Sequence, residues 1–110
     1  MMANFVRAFR ALGDATRQKM LALLERKGEL CVSELAQNFD MTQPSISHHL
    51  RILKDAGLVT AHKRGKEVYY AINPDELTKC CGLFFADFAC CRPMLKNVRR
   101  RSRALAEGES

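Results

Sequence analysis

The sequence predicts a mainly α-helical domain with a small β-hairpin, arranged as a winged helix-turn-helix. Three observations support this fold class. Four segments with helical apolar spacing precede residue 58, and capping or stop residues separate them. The apolar spacing then changes to alternate residues in "LVTAHKRGKEVYYAI", and "NPDE" opens one further helix. The predicted order is therefore α-α-α-α-β-β-α.

The first three helices are predicted from their apolar spacing and their end signals. "ANFVRAFRAL" repeats its apolar residues at helical spacing. Asp14 is a favourable N-cap for a second helix over 15–27, which Gly28 closes. Ser33 then caps a brief third helix, "ELAQNF". No linker or internal repeat interrupts this succession of helices.

The fourth helix and the hairpin follow directly. Thr42 caps the fourth helix, which ends before Gly57. Pro44 fits the first turn of this helix because an amide proton there would have no helical partner. Two β-rich runs, 58–62 and 67–72, flank a basic turn that contains a glycine. This pattern indicates an antiparallel hairpin, the wing of the fold.

The last helix is predicted from its start signals and from a long apolar seam. Asn73 is the expected N-cap, Pro74 takes the first position, and Glu76 completes a capping box. The seam alternates steps of four and three along Leu77, Cys81, Phe84, Phe88, Cys91, Leu95 and Val98. Such a seam is typical of a helix that packs against a copy of itself. Pro93 should kink or end the helix, because its ring clashes with the carbonyl of Ala89.

The fourth helix has an apolar face and a polar face. Ile46, Leu50 and Leu53 lie on the apolar face at helical spacing. His49 shares that face, so we interpret it as a packing residue. The opposite face is either an ordinary polar surface or a set of donors and acceptors that reach base edges and phosphates. We favour DNA contact, through Gln43, Ser45, Ser47, His48 and Arg51.

The turn of the hairpin carries a cluster of cations. Lys63, Arg64 and Lys66 surround Gly65. Three cations on a tight turn suit phosphate oxygens better than base edges. We therefore predict that the wing contacts the DNA backbone and contributes little sequence information.

Three motifs together resemble the ArsR/SmtB family of bacterial metal-responsive repressors. They are "LGDATRQKMLALL", "ELCVSELAQNFDMTQPSISHHLRILKDAGLV" and "RGKEVYYAI", within a match that runs from about residue 5 to residue 72. The resemblance implies a homodimer formed through the first and last helices. It also implies a repressor that binds an inverted-repeat operator when free of inducer and releases it when metal binds. Gln43, Ser47 and His48 match positions on the DNA-facing side of the family's recognition helix.

Size and charge distribution set the domain boundaries. The chain has 110 residues, 47% of them hydrophobic, which suits one domain with a modest core and favours a partner subunit. The net charge is +6, but residues 1–91 carry 12 basic and 10 acidic side chains, whereas residues 92–106 carry six basic and no acidic ones. We assign 1–98 to the DNA-binding and dimerisation domain. Residues 99–110, with "RRRSR", are expected to form a basic, solvated and flexible tail.

The composition also bears on location. No run of about 18 apolar residues occurs, and two arginines interrupt the apolar N-terminal segment "MMANFVRAFRALG". We therefore expect a cytoplasmic protein without a signal peptide and without contact with a membrane. Because the cytoplasm keeps thiols reduced, the five cysteines are interpreted as ligands or sensors, not as a disulfide framework.

The inducer site is not where the resemblance would first place it. "ELCVSELA" is similar to the segment in which arsenic- and cadmium-type members carry closely spaced cysteines, but it retains only Cys31, with Ser33 and Ala36 instead. One thiol cannot chelate As(III) or Cd(II), so we interpret Cys31 as a small buried residue. Zinc-type members use histidine and carboxylate ligands in the last helix. The three histidines of this chain all lie between His48 and His62.

Four thiols remain as candidate ligands: Cys80, Cys81, Cys90 and Cys91. An all-sulfur set favours soft ions such as As(III), Cd(II), Pb(II), Cu(I) or Zn(II), and no ion is expected to be needed for DNA binding. In one helix, Cys80 and Cys90 would lie roughly 15 Å apart, whereas sulfurs that share an ion lie within about 4 Å. Two antiparallel last helices would instead place Cys80 and Cys81 beside the partner's Cys90 and Cys91. Cys80 lies less squarely on the seam and ranks fourth.

Three alternatives stay open. The same fold could sense oxidants or reactive sulfur through cysteine oxidation, which would need a partner cysteine from the second subunit. The cysteines could merely pack, or hold a permanent structural zinc. An enzyme such as a thiol reductase requires a C-x-x-C motif at the start of a helix, and this chain lacks that motif. We therefore expect no enzymatic activity.

Overall fold

The computed structural model describes residues 2–86, 88 and 90. Over these residues the chain forms five helices and three strands. The elements are α1 (Met2–Leu12), α2 (Ala15–Lys27), β1 (Leu30–Cys31), α3 (Val32–Ala36), α4 (Gln43–Asp55), β2 (Val59–Arg64), β3 (Glu67–Ile72) and α5 (Pro74–Ala86). This architecture confirms the predicted winged helix-turn-helix, and it adds one short strand, β1, that the prediction lacked.

The starts of α2 and α4 are fixed by the predicted caps. The Asp14 carboxylate accepts a hydrogen bond from the backbone N–H of Arg17 at 3.1 Å. The Thr42 hydroxyl accepts one from the backbone N–H of Ser45 at 3.3 Å. At the other end of α2, Gly28 has a φ of 91°, which a residue with a side chain rarely adopts. Local sequence therefore determines where these two helices begin and end.

The predicted start of α3 is wrong. The sequence predicts Ser33 as the cap, but Cys31 occupies the N-cap position and the helix begins at Val32, two residues before the predicted start. The backbone N–H of Cys31 donates to the Glu34 carboxylate at 3.0 Å. Cys31 also pairs with Tyr69 in the sheet. This pairing with a strand 38 residues away sets the boundary, and no local pattern reveals it.

The three strands form an antiparallel sheet in the order β1-β3-β2. The β2–β3 hairpin is in register from Val59 opposite Ile72 to Arg64 opposite Glu67. Gly65, at a φ of 60°, takes the first position of the two-residue turn, where positive φ suits the twist of a hairpin. The predicted wing is therefore present, with its cations at the tip.

The core lies between α2, α3, α4 and the residues that lead into β2. Its largest fully buried side chains are Met20, Leu24, Leu35, Ile46, Leu50, Leu53 and Leu58. Ala8 and Ala11 of α1 join the same cluster, as does Cys80 of α5. Burial contributes roughly 1.5–3 kcal/mol for each large apolar side chain. Because α4 supplies three of these side chains, its apolar face is firmly held and its polar face is directed outward.

The start of α5 follows the prediction only in part. Asn73 caps the helix, since its side-chain oxygen accepts from the backbone N–H of Glu76 at 3.4 Å. The backbone N–H of Asn73 donates to the carbonyl of Leu58 at 2.9 Å. The Glu76 carboxylate pairs with Lys79 at 3.4 Å and does not return the bond that a capping box requires. The backbone N–H of Asn73, which a capping box would use, is bonded to Leu58 instead.

The end of α5 differs from the prediction. The helix ends at Ala86, and Phe88 and Cys90 lie in a bend and a turn. The expectation that one helix carries both cysteine pairs is therefore wrong at Cys90. Cys91, Pro93 and the end of the seam lie outside the described residues, as do residues 99–110. Among the described helices, none has the length and apolar composition needed to cross a bilayer.

Candidate nucleic-acid interface and thiol site

The polar face of α4 carries the predicted DNA-contact side chains. Gln43, His48 and Arg51 are exposed, whereas Ser45 and Ser47 are half-buried. Gln43, Ser47 and Arg51 follow one another at steps of four residues, so they form one stripe along the helix. This stripe supplies an amide, a hydroxyl and a guanidinium, which are groups that reach base edges and phosphates in a groove.

His49 points away from this stripe, toward the start of α2. Its Nδ1 lies 3.1 Å from Nη1 of Arg17 and 4.0 Å from the Asp14 carboxylate. The backbone hydrogen bond from Arg17 lowers the pKa of Asp14, so this carboxylate stays ionised at neutral pH. The structure thus agrees with the prediction that His49 faces the protein interior, and it shows that the contact is polar.

The wing cations fall into two groups. Lys63 and Lys66 are exposed at the turn. Arg64 is paired with Glu29, which precedes β1, and its guanidinium carbon lies 4.7 Å from the ring centre of Tyr69. The Arg64 side chain is still 59% exposed. A phosphate that binds Arg64 must therefore compete with Glu29.

The other oxygen of the Glu29 carboxylate lies 3.9 Å from Nε2 of His62 on β2. Glu29 thus lies beside two wing residues that can carry positive charge. Glu29, which is 35 residues from Arg64, is not among the predicted site residues. No local spacing signals this pair, because the antiparallel sheet alone brings the two together.

Two of the candidate thiols lie together on α5. Cys80 is 8% exposed and Cys81 is half-buried, and their sulfurs are 3.6 Å apart. Two sulfurs at about 2.3 Å from one ion are separated by roughly 3.5–4 Å, so this spacing suits a shared soft ion. Cys90 is exposed and lies beyond the helix. Cys91, the remaining candidate ligand, lies outside the described residues.

The environment of Cys80 favours its protonated form. Burial, followed by its hydrogen bond with Cys81, raises the pKa of Cys80 from 9.0 to about 12. The Cys80 thiol also donates to the carbonyl of Leu77 at 3.4 Å. An ion that binds here must displace this proton, because a thiolate is the form that ligates metal.

Cys31 is separate from this pair. It is 3% exposed, and its sulfur lies 3.2 Å from the hydroxyl of Ser33. Within the described part of the chain, no three histidine, cysteine, aspartate or glutamate side chains are grouped closely enough to hold a metal ion. Cys80 and Cys81 therefore supply at most part of a coordination shell there.

A buried helix with a polar outer stripe, beside a basic hairpin, defines a DNA-binding protein of the winged helix-turn-helix class. A family model described as "Bacterial regulatory protein, arsR family" matches residues 14–61. The chain belongs to the ArsR family, whose members are DNA-binding transcriptional regulators and not enzymes.

Three curated relatives illustrate the similarity. The transcriptional repressor SdpR of Bacillus subtilis is 43% identical over 65 residues, which cover 59% of this chain and 71% of the relative. The arsenical resistance operon repressor of Escherichia coli is 42% identical over 69 residues, 63% of this chain and 59% of the relative. A cadmium resistance regulatory protein CadC homolog of Staphylococcus aureus is 39% identical over 74 residues, 67% of this chain and 61% of the relative.

Solved structures show the same fold. A crystal structure of an ArsR family transcriptional regulator has a TM-score of 0.71 and 34% identity, covering 79% of this chain and 88% of that one. The solution structure of a homodimeric winged helix-turn-helix DNA-binding domain from Mycobacterium bovis has a TM-score of 0.66 and 29% identity. The match covers 78% of this chain and 80% of that one.

Proposed function

We propose that the protein is a homodimeric repressor that binds an inverted-repeat operator and releases it when a soft metal or metalloid ion binds cysteines of the last helix and the segment after it. The observation that carries the proposal is the pair of adjacent thiols, Cys80 and Cys81, with sulfurs 3.6 Å apart in a protein of the ArsR family. The protein would work in the cytoplasm, where these thiols stay reduced.

The DNA side of the proposal rests on α4 and the wing. In a symmetric dimer, two recognition helices enter major grooves about one helical turn or a multiple of it apart, so the operator is an inverted repeat. Gln43, Ser47 and His48 would read base edges. Arg51 would contact phosphates, and Ser45 would lie at the edge of the contact surface. Lys63, Lys66 and, when it leaves Glu29, Arg64 would contact phosphates. The basic residues 99–110 would add a modest, sequence-independent attraction.

The dimer would form through α1 and α5. These two helices contact each other within one chain, and Val6 on α1 is 49% exposed. Phe88, just beyond α5, is 46% exposed. Large apolar side chains exposed on or just beyond these two helices favour a protein partner. The homodimeric domain from Mycobacterium bovis supports a second copy of this chain as that partner.

The partner would also complete the inducer site. A soft ion takes three or four sulfur ligands, and Cys80 and Cys81 supply two. The partner's Cys90 and the partner's Cys91 would supply the others, which gives two equivalent sites per dimer. The arsenical and cadmium regulators among the relatives favour As(III) and Cd(II), and Pb(II) and Zn(II) have suitable softness. Ion binding would change how the last helices cross and weaken DNA binding by about 1–3 kcal/mol.

Thiol oxidation is the second candidate, and the exposed Cys90 favours it. A sensor cysteine reacts as a thiolate. The raised pKa of Cys80, about 12, argues against this residue as the reactive group. Under this alternative Cys90 would react first, and a cysteine of the second subunit would resolve the product.

One titration separates the two candidates. The reduced protein is bound to an operator selected in vitro from random DNA, and As(III), Cd(II), Pb(II), Zn(II) and Cu(I) are added in turn under a thiol reductant, with fluorescence anisotropy as the readout. The proposal expects release by at least one of these ions. Release by an oxidant alone, reversed by dithiothreitol, would overturn metal sensing in favour of thiol oxidation.

A further inference from the structure

We propose that Arg17 is a positioning residue for DNA recognition, which holds the recognition helix α4 in place through His49. The inference rests on the proposed operator binding. It concerns a residue of α2 that has no place in the DNA-contact surface.

The Arg17 guanidinium joins two helices. Its Nε donates to the carbonyl of Ala11 at 2.7 Å, and its Nη2 donates to the carbonyl of Arg10 at 3.2 Å. Both carbonyls lie in the last turn of α1. Its Nη1 lies 3.1 Å from Nδ1 of His49, in the middle of α4. One planar group with a fixed arrangement of donors therefore ties the end of α1 to the recognition helix.

The contact has a defined donor and acceptor. An arginine guanidinium can only donate, so Nδ1 of His49 accepts in this hydrogen bond. Asp14, the N-cap of α2, lies 4.0 Å from the same nitrogen, and the ring centre of His48 lies 5.8 Å from that of His49.

A directional contact is needed at this position. The apolar side chains of α4 hold the helix against the core, but hydrophobic contact is non-directional and tolerates small rotations about the helix axis. His49 directly follows His48, which faces the proposed DNA side, so a rotation that breaks the Arg17 contact also displaces His48. A second tether, from Arg7 to the carbonyl of Asp55, is longer at 3.4 Å and exposed. The contact between Arg17 and His49 is therefore the shorter and better shielded of these two ties to α1 and α2.

The test compares four variants for affinity to the selected operator and to random DNA. Arg17→Gln and His49→Leu remove the contact, and each should lower the operator-to-random affinity ratio by about tenfold or more, the scale of losing one base contact. His49→Asn places an amide oxygen near the position of Nδ1 and should keep the ratio within about threefold. The matched control is Gln18→Ala, which removes a 2.6 Å bond to the carbonyl of Leu12 at the same corner without touching α4.

Rescue by His49→Asn is the readout that a purely structural role would not move, because this variant restores an acceptor for Arg17 without restoring the imidazole ring.

The outcomes separate this inference from the proposed function. Unchanged operator preference in Arg17→Gln and His49→Leu would overturn the inference alone. An equal loss in Gln18→Ala would also overturn it, by showing that general stability of the α1–α2 corner matters and not the tie to α4. A wild-type protein that prefers no DNA sequence would instead contradict the proposed function. If Arg17→Gln fails to fold, His49→Leu set against His49→Asn decides the question.

Discussion

The proposed DNA-contact surface and the proposed thiol site differ in how much of each one chain contains. The proposed DNA-contact surface consists of α4 and the β2–β3 hairpin, and the structure describes all of its predicted residues in one protomer. The thiol site has two sulfurs within range of a common ion on α5, and no group of three potential ligands occurs in the described residues. Each protomer therefore carries a full set of the proposed DNA-contact residues, whereas the proposed inducer site needs two protomers. An inducer site that spans the dimer is well placed to change the spacing of the two recognition helices.

The largest expected effect comes from removing the thiol pair. Cys80→Ser with Cys81→Ser should abolish ion-driven release, which removes a coupling of about 5–150-fold in DNA affinity. Affinity of the ion-free protein should stay unchanged, because neither thiol lies on α4 or the wing. Anisotropy titrations with As(III) and Cd(II) provide the measurement. Cys31→Ser is the matched control and should respond like the wild type, and a responsive double variant would place the inducer site elsewhere.

The second effect sharpens the account of the DNA surface. Ser47→Ala or His48→Ala should weaken operator binding by about 1–3 kcal/mol for each lost base contact, with little change on random DNA. Lys66→Ala should weaken all sequences alike and lower the salt dependence by about one unit, since it removes one phosphate contact. Binding to both DNAs is measured from low to physiological salt. Equal losses on operator and random DNA for both classes of variant would contradict the assignment.

The third effect is a pH dependence of ion binding. The pKa of Cys80 is raised to about 12, so this thiol is protonated throughout the neutral range and must lose its proton on binding. Apparent affinity for Cd(II) should therefore rise about tenfold per pH unit for each thiol that ionises. Competition with a chelator between pH 6 and 8 measures the slope, which Cys80→Ser should lower by about one unit. If Cys80→Ser has the same slope as the wild type, Cys80 is excluded as a ligand.

The same shift in the pKa of Cys80 predicts a change in folding stability. Because the folded pKa lies above the ordinary value of 9.0, the neutral thiol stabilises the fold below pH 9, and this contribution is lost as the pH rises toward about 12. The stability difference between the wild type and Cys80→Ser should therefore shrink above pH 9. Urea unfolding at pH 7.5 and pH 10 provides the comparison, and a difference that grows with pH would contradict the assignment of the shift.

The smallest effect concerns the base of the wing. Glu29→Gln should release Arg64 for phosphate contact and steepen the salt dependence of DNA binding by up to about one unit. The pair is exposed, so stability should change by less than about 1 kcal/mol. The effect should vanish when Arg64→Ala is also present. A shallower salt dependence in Glu29→Gln would mean that the glutamate holds Arg64 in its DNA-binding position.

Much of the DNA-binding half follows from local sequence. The caps at Asp14 and Thr42 fixed two helices correctly, and alternating residues around Gly65 gave the hairpin. Contacts between residues that are distant in sequence could not be predicted in this way. β1 depends on pairing with Tyr69 and Tyr70, and the bonds that Arg64 and Arg17 form reach 35 and 32 residues along the chain. Neither apolar periodicity nor helix-capping residues carry information about such pairs.

The end of the last helix also could not be predicted from the sequence. An apolar seam predicted a helix through both cysteine pairs, but α5 ends at Ala86. A helix gains most of its stability by burying its apolar face, so a repeated apolar seam does not by itself determine where the helix ends. Cys80 and Cys81 lie close together because they are adjacent on one helix, and their role as ligands stays a prediction.

Mixed dimers give the most direct test of a site shared between subunits. One subunit carries Cys80→Ser and Cys81→Ser, the other carries Cys90→Ser and Cys91→Ser, and two affinity tags isolate the mixed species. The account predicts one bound Cd(II) or As(III) per mixed dimer, with release of the operator, because one complete site survives and the other loses all four thiols. Each double variant alone should bind none. A Cys90/Cys91 variant that still binds one ion per subunit and still releases DNA would contradict the shared site.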